Sequence, residues 1–335
     1  MKKILVTGGA GYIGSTVCSA LLDHGFLPII LDDLSAGPRQ FTSERVFYEG
    51  DISDSHLLTK VFNEHEIFAV IHCAAKIVVP ESVSRPDFYY SENVVKSIRL
   101  FSELKRLGCK RIVFSSSAAV YDVVANFMVT EDSPLKPQSP YARTKFMMEM
   151  ILEDMCAAYD MKAIALRYFN PIGADPKLRT GSYVKAPTHV LGKMLTSHKD
   201  QNSDFIITGA DWPTRDGTGI RDYIHVWDLA MAHVASVEKF DEVFGESNVT
   251  DLKSKGFMVI NLGTGNGVTV RELVLAFEQA AGKKLNAKVT SRRPGDVAGS
   301  YANCSRAFKV LGWKSKLDIQ EGIQSSLEWI QKFFG

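Results

Sequence analysis

Tyr141 and Lys145 stand four residues apart, directly after Ser139-Pro140. On a helix that spacing puts both side chains on one face. A phenol ordinarily ionises near pH ~10, so a base working at neutral pH needs its phenolate favoured by roughly 4 kcal/mol. One ammonium at ~4 Å supplies about that much at an effective dielectric of ~20. The pair could therefore abstract a proton, although Tyr-x-x-x-Lys alone is common on helices and usually means nothing. The run Ser115-Ser116-Ser117 adds hydroxyls able to hold a reacting oxygen.

A second cluster is Gly8-Gly9-Ala10-Gly11-Tyr12-Ile13-Gly14, which contains both Gly-x-x-Gly-x-x-Gly and Gly-x-Gly-x-x-Gly spacings. It follows a short apolar run at 4–6 and opens a helix reading to about residue 24. That context gives the glycines meaning as a dinucleotide cradle. Glycine permits positive φ and lets a pyrophosphate approach the backbone, and the helix N-terminus offers unpaired N–H groups. Asp32 follows the apolar run 27–31, 18 residues after Gly14. A carboxylate there binds the adenosine ribose hydroxyls. A 2′-phosphate would meet both Asp32 and Asp33, so NAD is expected rather than NADP. Asp51-Ile52 follows a third apolar run and could hold adenine, the carboxylate taking the exocyclic amine.

The elements that must position these residues are read from hydrophobic runs. Strands are expected at 4–6, 27–31, 46–48, 68–72, 111–114 and 163–166, with helical segments between most of them. Such alternation predicts an α/β fold with a doubly wound parallel (Rossmann) sheet. The serines then lie beyond the carboxyl end of 111–114, the side on which such sheets bind ligands. After about residue 171 Gly, Pro and charged residues multiply, and helices are expected at 187–199, 227–240, 269–281 and 318–333. This half reads as a smaller, loop-rich domain packed against the first around a cleft. In 87–107 Glu92, Lys96, Arg99, Glu103 and Arg106 form one stripe, with Tyr90, Val94, Ile98, Phe101 and Leu104 away from it. The helix at 141–160 is apolar nearly all round, with Met147, Met148, Met150 and Met155. A helix of that kind is buried on more than one side. One side can cover the sheet, and the other needs either the second domain or another subunit, the sharper expectation being a homodimer through 87–107 and 141–160.

The chain of 335 residues is 45% hydrophobic and 23% charged, a globular composition, and its net charge of +1 argues against a nucleic-acid binder or a polybasic membrane anchor. Five cysteines without Cys-x-x-Cys spacing suggest free thiols in a reducing compartment, the cytoplasm. The histidines show no metal spacing, so no metal is expected. No apolar run approaches the ~18 residues that span a bilayer, and the run after Lys2-Lys3 is too short for a secretory signal.

Taken in order, GGAGYIG, SSSAAVY, SPYARTK and RYFN resemble the extended short-chain dehydrogenase/reductase superfamily. DGTGIRDYIHV at 216–226 and RRPGD at 292–296 narrow the resemblance to its UDP-galactose 4-epimerases, over nearly the whole chain. The resemblance implies epimerisation at C4 of a UDP-hexose through a transient 4-keto sugar, with NAD regenerated in each cycle. Ser117, Tyr141 and Lys145 would be the catalytic triad: Tyr141 takes the 4-hydroxyl proton, Ser117 holds that oxygen, and Lys145 lowers the phenol's pKa and holds the nicotinamide ribose. Gly8, Gly11, Tyr12, Ile13, Gly14, Asp32, Asp33, Asp51, Ile52, Asn93 and Tyr168, with Tyr141 and Lys145, would contact NAD. Asn170, Arg221, Arg293 and Asp296 would hold the UDP portion, the arginines because a guanidinium fork fits phosphate oxygens. His189 lies in the segment expected to hold uracil, mainly through backbone groups. Residues 1–171 would form the NAD-binding domain, with segments around 222–262 returning to it, and 172–335 the UDP-sugar-binding domain.

Ala118-Ala119 stand where 4,6-dehydratases carry an Asp-Glu pair, which leaves simple oxidation and re-reduction. Ser300 occupies a position that is Tyr in members confined to glucose and galactose, so a 2-acetamido sugar is expected to fit as well. Asp122 replaces a glycine common in the family, and Lys76 falls one position out of step with its pyrophosphate lysine. The alternatives are a UDP-pentose or UDP-uronate 4-epimerase, a net-oxidising dehydrogenase and, in a different class, a non-catalytic NAD-binding regulator.

Overall fold

A computed structural model describes residues 1–184, 187, 189–200, 203–245, 256–292 and 297–334. The first half runs β1 (Lys3–Thr7), α1 (Tyr12–Asp23), β2 (Leu27–Asp32), β3 (Val46–Glu49), α2 (Ser55–Glu64), β4 (Ile67–His72), α3 (Val79–Ser84), α4 (Pro86–Tyr90), α5 (Lys96–Arg106), β5 (Arg111–Ser115), β6 (Met128–Val129), α6 (Pro140–Ala158) and β7 (Lys162–Tyr168). The second half runs β8 (Asn170–Ile172), α7 (Val190–Lys199), β9 (Phe205–Thr208), β10 (Ile220–Arg221), β11 (Tyr223–His225), α8 (Val226–Glu238), α9 (Phe240–Val243), β12 (Phe257–Leu262), β13 (Val268–Thr269), α10 (Val270–Ala281), β14 (Ala287–Thr290), β15 (Gly299–Ala302), α11 (Ser305–Leu311) and α12 (Ile319–Phe334).

Seven strands form one parallel sheet in the order β12-β7-β5-β4-β1-β2-β3, the doubly wound α/β arrangement. Both of its faces are covered, which is why its strands read as continuous apolar runs. Ile4 and Val6 point into a core shared with Val17 and Leu21 of α1 and Leu229, Val234 and Val237 of α8. Leu5 points the other way, toward Leu58 and Val61 of α2, Leu100, Phe101 and Leu104 of α5, and Met148 and Leu152 of α6. Each such side chain, fully buried, contributes roughly 1.5–3 kcal/mol. The strand order reverses between β1 and β4, the crevice where such sheets bind ligands. β12 joins this sheet beside β7, although it lies far along the chain.

A separate core holds Ile172, Leu191, Met194, Phe205, Tyr223, Leu273, Phe277 and Ile323. A separate four-stranded sheet runs in the order β13-β10-β15-β6. Aromatic side chains tie the halves together, with Phe41 against Tyr183, Trp329 and Phe333.

The helix expected as one piece over 87–107 is two. α4 and α5 are joined by a single π turn, Ser91–Val95. The extra residue rotates α5 relative to α4, so Val95 and Ile98 are exposed while Phe101 and Leu104 are buried. It also turns Asn93 inward, a recurrent use of π turns at functional sites.

Candidate active site

Two local devices fix the triad. β5 ends at Ser115, and Ser117 caps a single 3₁₀ turn over Ala118–Val120, its Oγ accepting the Ala119 N–H at 3.2 Å. α6 begins with Ser139 as N-cap, accepting the Ala142 N–H at 3.2 Å, and Pro140 at the first helical position. Tyr141 therefore sits in the first helical turn and Lys145 one turn on, facing the end of β5. Ser117, Tyr141 and Lys145 are all buried.

Burial pushes the Tyr141 phenol above its ordinary value, and the neighbouring Ser117 hydroxyl works against the rise. Lys145 Nζ donates to the Ser115 carbonyl at 2.8 Å. Burial lowers its pKa to about 8, with Cys73 and Glu149 opposing the fall. The ammonium is thus anchored on the carbonyl at the end of β5, and the phenol's shift comes from burial and Ser117 rather than from the lysine. Tyr168 closes β7 with its phenol near Ser115 and close enough to feel Tyr141; burial holds it strongly protonated. Below these groups lie His72, between Thr7 Oγ1 at 2.7 Å and Ser97 Oγ at 2.9 Å, and His233, 3.1 Å from Ser115 Oγ.

The glycine loop is packed too tightly for side chains. Gly8 has φ +71°, and a Cβ on Gly14 would fall 2.2 Å from the Gly8 carbonyl oxygen. The N-cap of α1 is Gly11, with no side chain capping the helix, so its first N–H groups stay available. Tyr12 donates to the Gly173 carbonyl at 2.6 Å and Ile13 packs on the core beneath. Asp32 is buried at the end of β2, with Oδ2 accepting the Ala10 N–H at 2.9 Å and Oδ1 the Leu34 N–H at 2.8 Å. It braces the glycine loop and still has about half of a carboxylate's roughly four acceptor sites free. Asp33 is exposed. A bare backbone loop, an uncapped helix end and a carboxylate in the crevice fit a dinucleotide.

Asp51 is more occupied than its sequence position suggested. Its oxygens take Ser53 N–H at 2.8 Å, Ser53 Oγ at 2.7 Å and Lys96 Nζ at 2.7 Å. Burial alone would raise its pKa, but Lys96 and Ser53 hold the carboxyl below the usual range. Ile52 is buried in the core beside it. Asn93 receives the Lys76 N–H at 2.8 Å, donates to the Lys76 carbonyl at 2.9 Å and to Thr144 Oγ1 at 3.1 Å, and so pins the loop after β4 to α6. Lys76 itself, unassigned from sequence, donates to Ser35 Oγ at 2.8 Å near Asp32.

On the other side of the site, Arg221 and Ser300 are register partners in β10 and β15, so their side chains share a sheet face. Arg221 Nη1 donates to the Ile220 and Ala298 carbonyls at 2.7 and 2.9 Å, and Nη2 to that of Val297 at 3.2 Å. Gly299 gives it room, since a Cβ there would lie 2.0 Å from Nη1. Asp222, fully buried, locks this edge by accepting the N–H groups of Thr264, Gly265 and Ala302. Asn170 opens β8, paired with Tyr223. His189 is the N-cap of α7, its Nδ1 accepting the Gly192 N–H at 3.1 Å. Arg293 and Asp296 lie outside the described residues.

A buried polar chain behind the serines escaped the sequence reading. Glu149 meets Arg167 in a bidentate pair that is almost wholly buried. The available signal was a charge inside the apolar strand 163–168 and a carboxylate one helical turn beyond Lys145. Among the described residues no cluster of His, Cys, Asp and Glu could hold a metal, and no helix is long and apolar enough to cross a membrane.

The family model described as the NAD dependent epimerase/dehydratase family matches residues 4–249. A UDP-glucose 4-epimerase of Azospirillum brasilense is 41% identical over 329 residues, covering 98% of this chain and 91% of that one. The crystal structure of a Stenotrophomonas maltophila UDP-glucose-4-epimerase with bound NAD and formylated UDP-arabinopyranose superposes with TM-score 0.92 at 34% identity, over 99% of this chain and 98% of that one. One from Bifidobacterium longum in complex with NAD+ and UDP gives TM-score 0.89 at 36% identity, over 99% and 98%.

Proposed function

The chain belongs to the NAD dependent epimerase/dehydratase family, and we infer from that membership and from the site's geometry which residues carry its chemistry. It is an NAD-dependent isomerase that inverts C4 of a UDP-hexose. Bound NAD takes up the C4 hydride and returns it, so there is no net oxidation. In our reading the glycine loop at 8–14 holds the pyrophosphate and Asp32 the adenosine ribose. Tyr141 removes the 4-hydroxyl proton, Ser117 holds the same oxygen, and Lys145 keeps Tyr141 and the nicotinamide ribose in place. The phenolate is favoured by the Ser117 hydroxyl and by the positive end of α6, in whose first turn it sits. The observation that carries this reading is the burial of Ser117, Tyr141 and Lys145 together at the carboxyl end of the sheet, with the Ser117 hydroxyl close enough to Tyr141 to favour its phenolate.

The UDP portion is assigned to Asn170, Arg221 and the segment at His189, with Arg293 and Asp296 as further candidates. Ser300, beside Arg221 in the ladder, is small enough to admit a 2-acetamido group. Residues 1–171 are assigned to the NAD domain with segments around 222–262, a division supported by β12 in the main sheet and α8 against α1. Residues 172–335 carry the sugar nucleotide. A homodimer through 87–107 and 141–160 is supported by exposed Val95 and Ile98 on one element and Met150 on its neighbour. Five free cysteines favour the cytoplasm.

The test is incubation with UDP-galactose and no added cofactor. UDP-glucose should form without accumulation of NADH, and Tyr141→Phe should lose at least ~10²-fold in kcat while retaining NAD, the lower end of acid–base contributions. Net NADH, or a fully active Tyr141→Phe enzyme, would refute the assignment.

A further inference from the structure

Ser117 lies on a loop, 116–121, whose two ends are attached to one buried ion pair. At the start, Ser116 Oγ donates to Glu149 Oε1. At the end, Arg167 Nη1 donates to the Tyr121 hydroxyl at 3.0 Å, and the guanidinium lies over the Tyr121 ring at 4.9 Å. Glu149 and Arg167 are joined by Nε at 2.9 and 3.2 Å and Nη2 at 2.6 Å. Their side chains are 3% and 4% exposed. The Tyr121 hydroxyl passes its own proton to Asn261 Oδ1 at 2.6 Å, and the Asn261 N–H goes to Glu131 Oε1 at 2.9 Å. Glu149 stands one helical turn after Lys145 and two after Tyr141 on α6, while Arg167 stands on β7.

A buried pair of this kind is weak evidence for stability, because desolvation offsets most of its attraction. Its geometry has a more specific consequence. The helix that carries Tyr141 and Lys145 and the loop that carries Ser117 are separate elements, and the pair spans them. The Ser117 hydroxyl must meet the same substrate oxygen as Tyr141, and a misplacement of ~1 Å at such a group costs on the order of 10²-fold in rate.

We propose that Glu149 and Arg167 are positioning residues for the epimerisation: they clamp both ends of the Ser117 loop to the catalytic helix and thereby set the Ser117–Tyr141 register. This rests on the assignment of Ser117 as the hydroxyl that holds the reacting oxygen. Neither residue touches the reacting atoms, so their effect passes through Ser117.

The test is a double-mutant cycle on the NAD-loaded enzyme with UDP-galactose. Glu149→Gln should lower kcat by ~10–100-fold, with KM and bound NAD changed less than about threefold. In a Ser117→Ala background the same substitution should cost less than about threefold, because the group it positions is gone. Ser116→Ala and Tyr121→Phe each detach one end of the loop and leave the ion pair intact, so they fold even if Glu149→Gln does not. Each should lower kcat several-fold at unchanged KM, and neither should do so in the Ser117→Ala background. Full additivity with Ser117→Ala, or unchanged kcat in all three variants, would overturn the proposal while leaving the triad in place. A Ser117→Ala enzyme as active as the parent would overturn the assignment of Ser117, and this proposal with it.

Discussion

Lys145 offers a stability test of the site that needs no substrate. The residue is 3% exposed, its ammonium is bonded to a carbonyl, and its pKa falls to about 8 from an ordinary 10.5. At ~1.36 kcal/mol for each pH unit, holding that proton in the fold costs on the order of 3 kcal/mol at pH 7. The sign comes from proton counting. Between pH 8 and 10.5 the unfolded chain keeps the Lys145 proton while the folded chain sheds it, so the unfolded state binds more protons and stability rises with pH. The cost is fully present below pH 8 and gone above 10.5. Lys145→Met removes that titration with little change in volume. The unfolding free energy of the parent minus that of Lys145→Met should therefore rise by about 3 kcal/mol from pH 7.5 to 10.5. Urea melts of both proteins across this range measure it, and the subtraction cancels the other titrating groups. A difference flat to within about 1 kcal/mol would show that Lys145 keeps its ordinary proton affinity in the fold, and the account of a desolvated ammonium would fail.

Three further outcomes are expected from the geometry. Gly14→Ala must push apart the glycine turn, because its Cβ falls on the Gly8 carbonyl; overpacking of this sort costs about 1–3 kcal/mol, and NAD released on denaturation should fall well below one per chain. Ser300→Tyr should abolish interconversion of UDP-2-acetamido sugars while UDP-galactose turnover stays within a few-fold, as a substrate panel would read; equal loss on both sugars would contradict the size argument. Ile98→Glu with Met150→Glu places charge on exposed apolar positions, so sedimentation should shift from dimer to monomer with the thermal midpoint of each chain little changed. A parent protein that is already monomeric at micromolar concentration would remove the proposed interface.

The parallel sheet was legible because burial on both faces leaves uninterrupted apolar runs, as in 4–6 and 27–31. The glycine loop and Asp32 were legible because backbone chemistry, rather than long-range packing, dictates their types and spacing. Strands of two or three residues, such as β6, β8, β10 and β11, carry no period that a sequence could display. The π turn was hidden for a different reason. It changes the facing of α5 without changing its composition, and only the inward Asn93 with its bonds to Lys76 and Thr144 explains it. The position of Lys76 out of step with its family does not stop it reaching Ser35 near Asp32. Arg167 announced a partner, since a charge inside a buried strand must be paired. Nothing along the chain said that the partner was Glu149 on the catalytic helix.

That partnership bears on the charge of Lys145. Glu149 lies one turn from Lys145 on α6 and opposes the fall in its pKa. A direct carboxylate–ammonium contact would hold Lys145 near or above its ordinary proton affinity. Instead Arg167 takes both oxygens of Glu149, and Lys145 is left with the neutral carbonyl of Ser115. The carboxylate's charge is neutralised by Arg167, while the ammonium's is not neutralised by anything it touches. A lysine so placed remains largely protonated at neutral pH, at the stability cost of a desolvated ammonium. Replacing Arg167 would leave the Glu149 charge uncompensated one turn from Lys145 and raise the lysine's proton affinity. The buried arginine therefore holds the Ser117 loop and sets the proton affinity of Lys145, while its effect on the rate passes through Ser117.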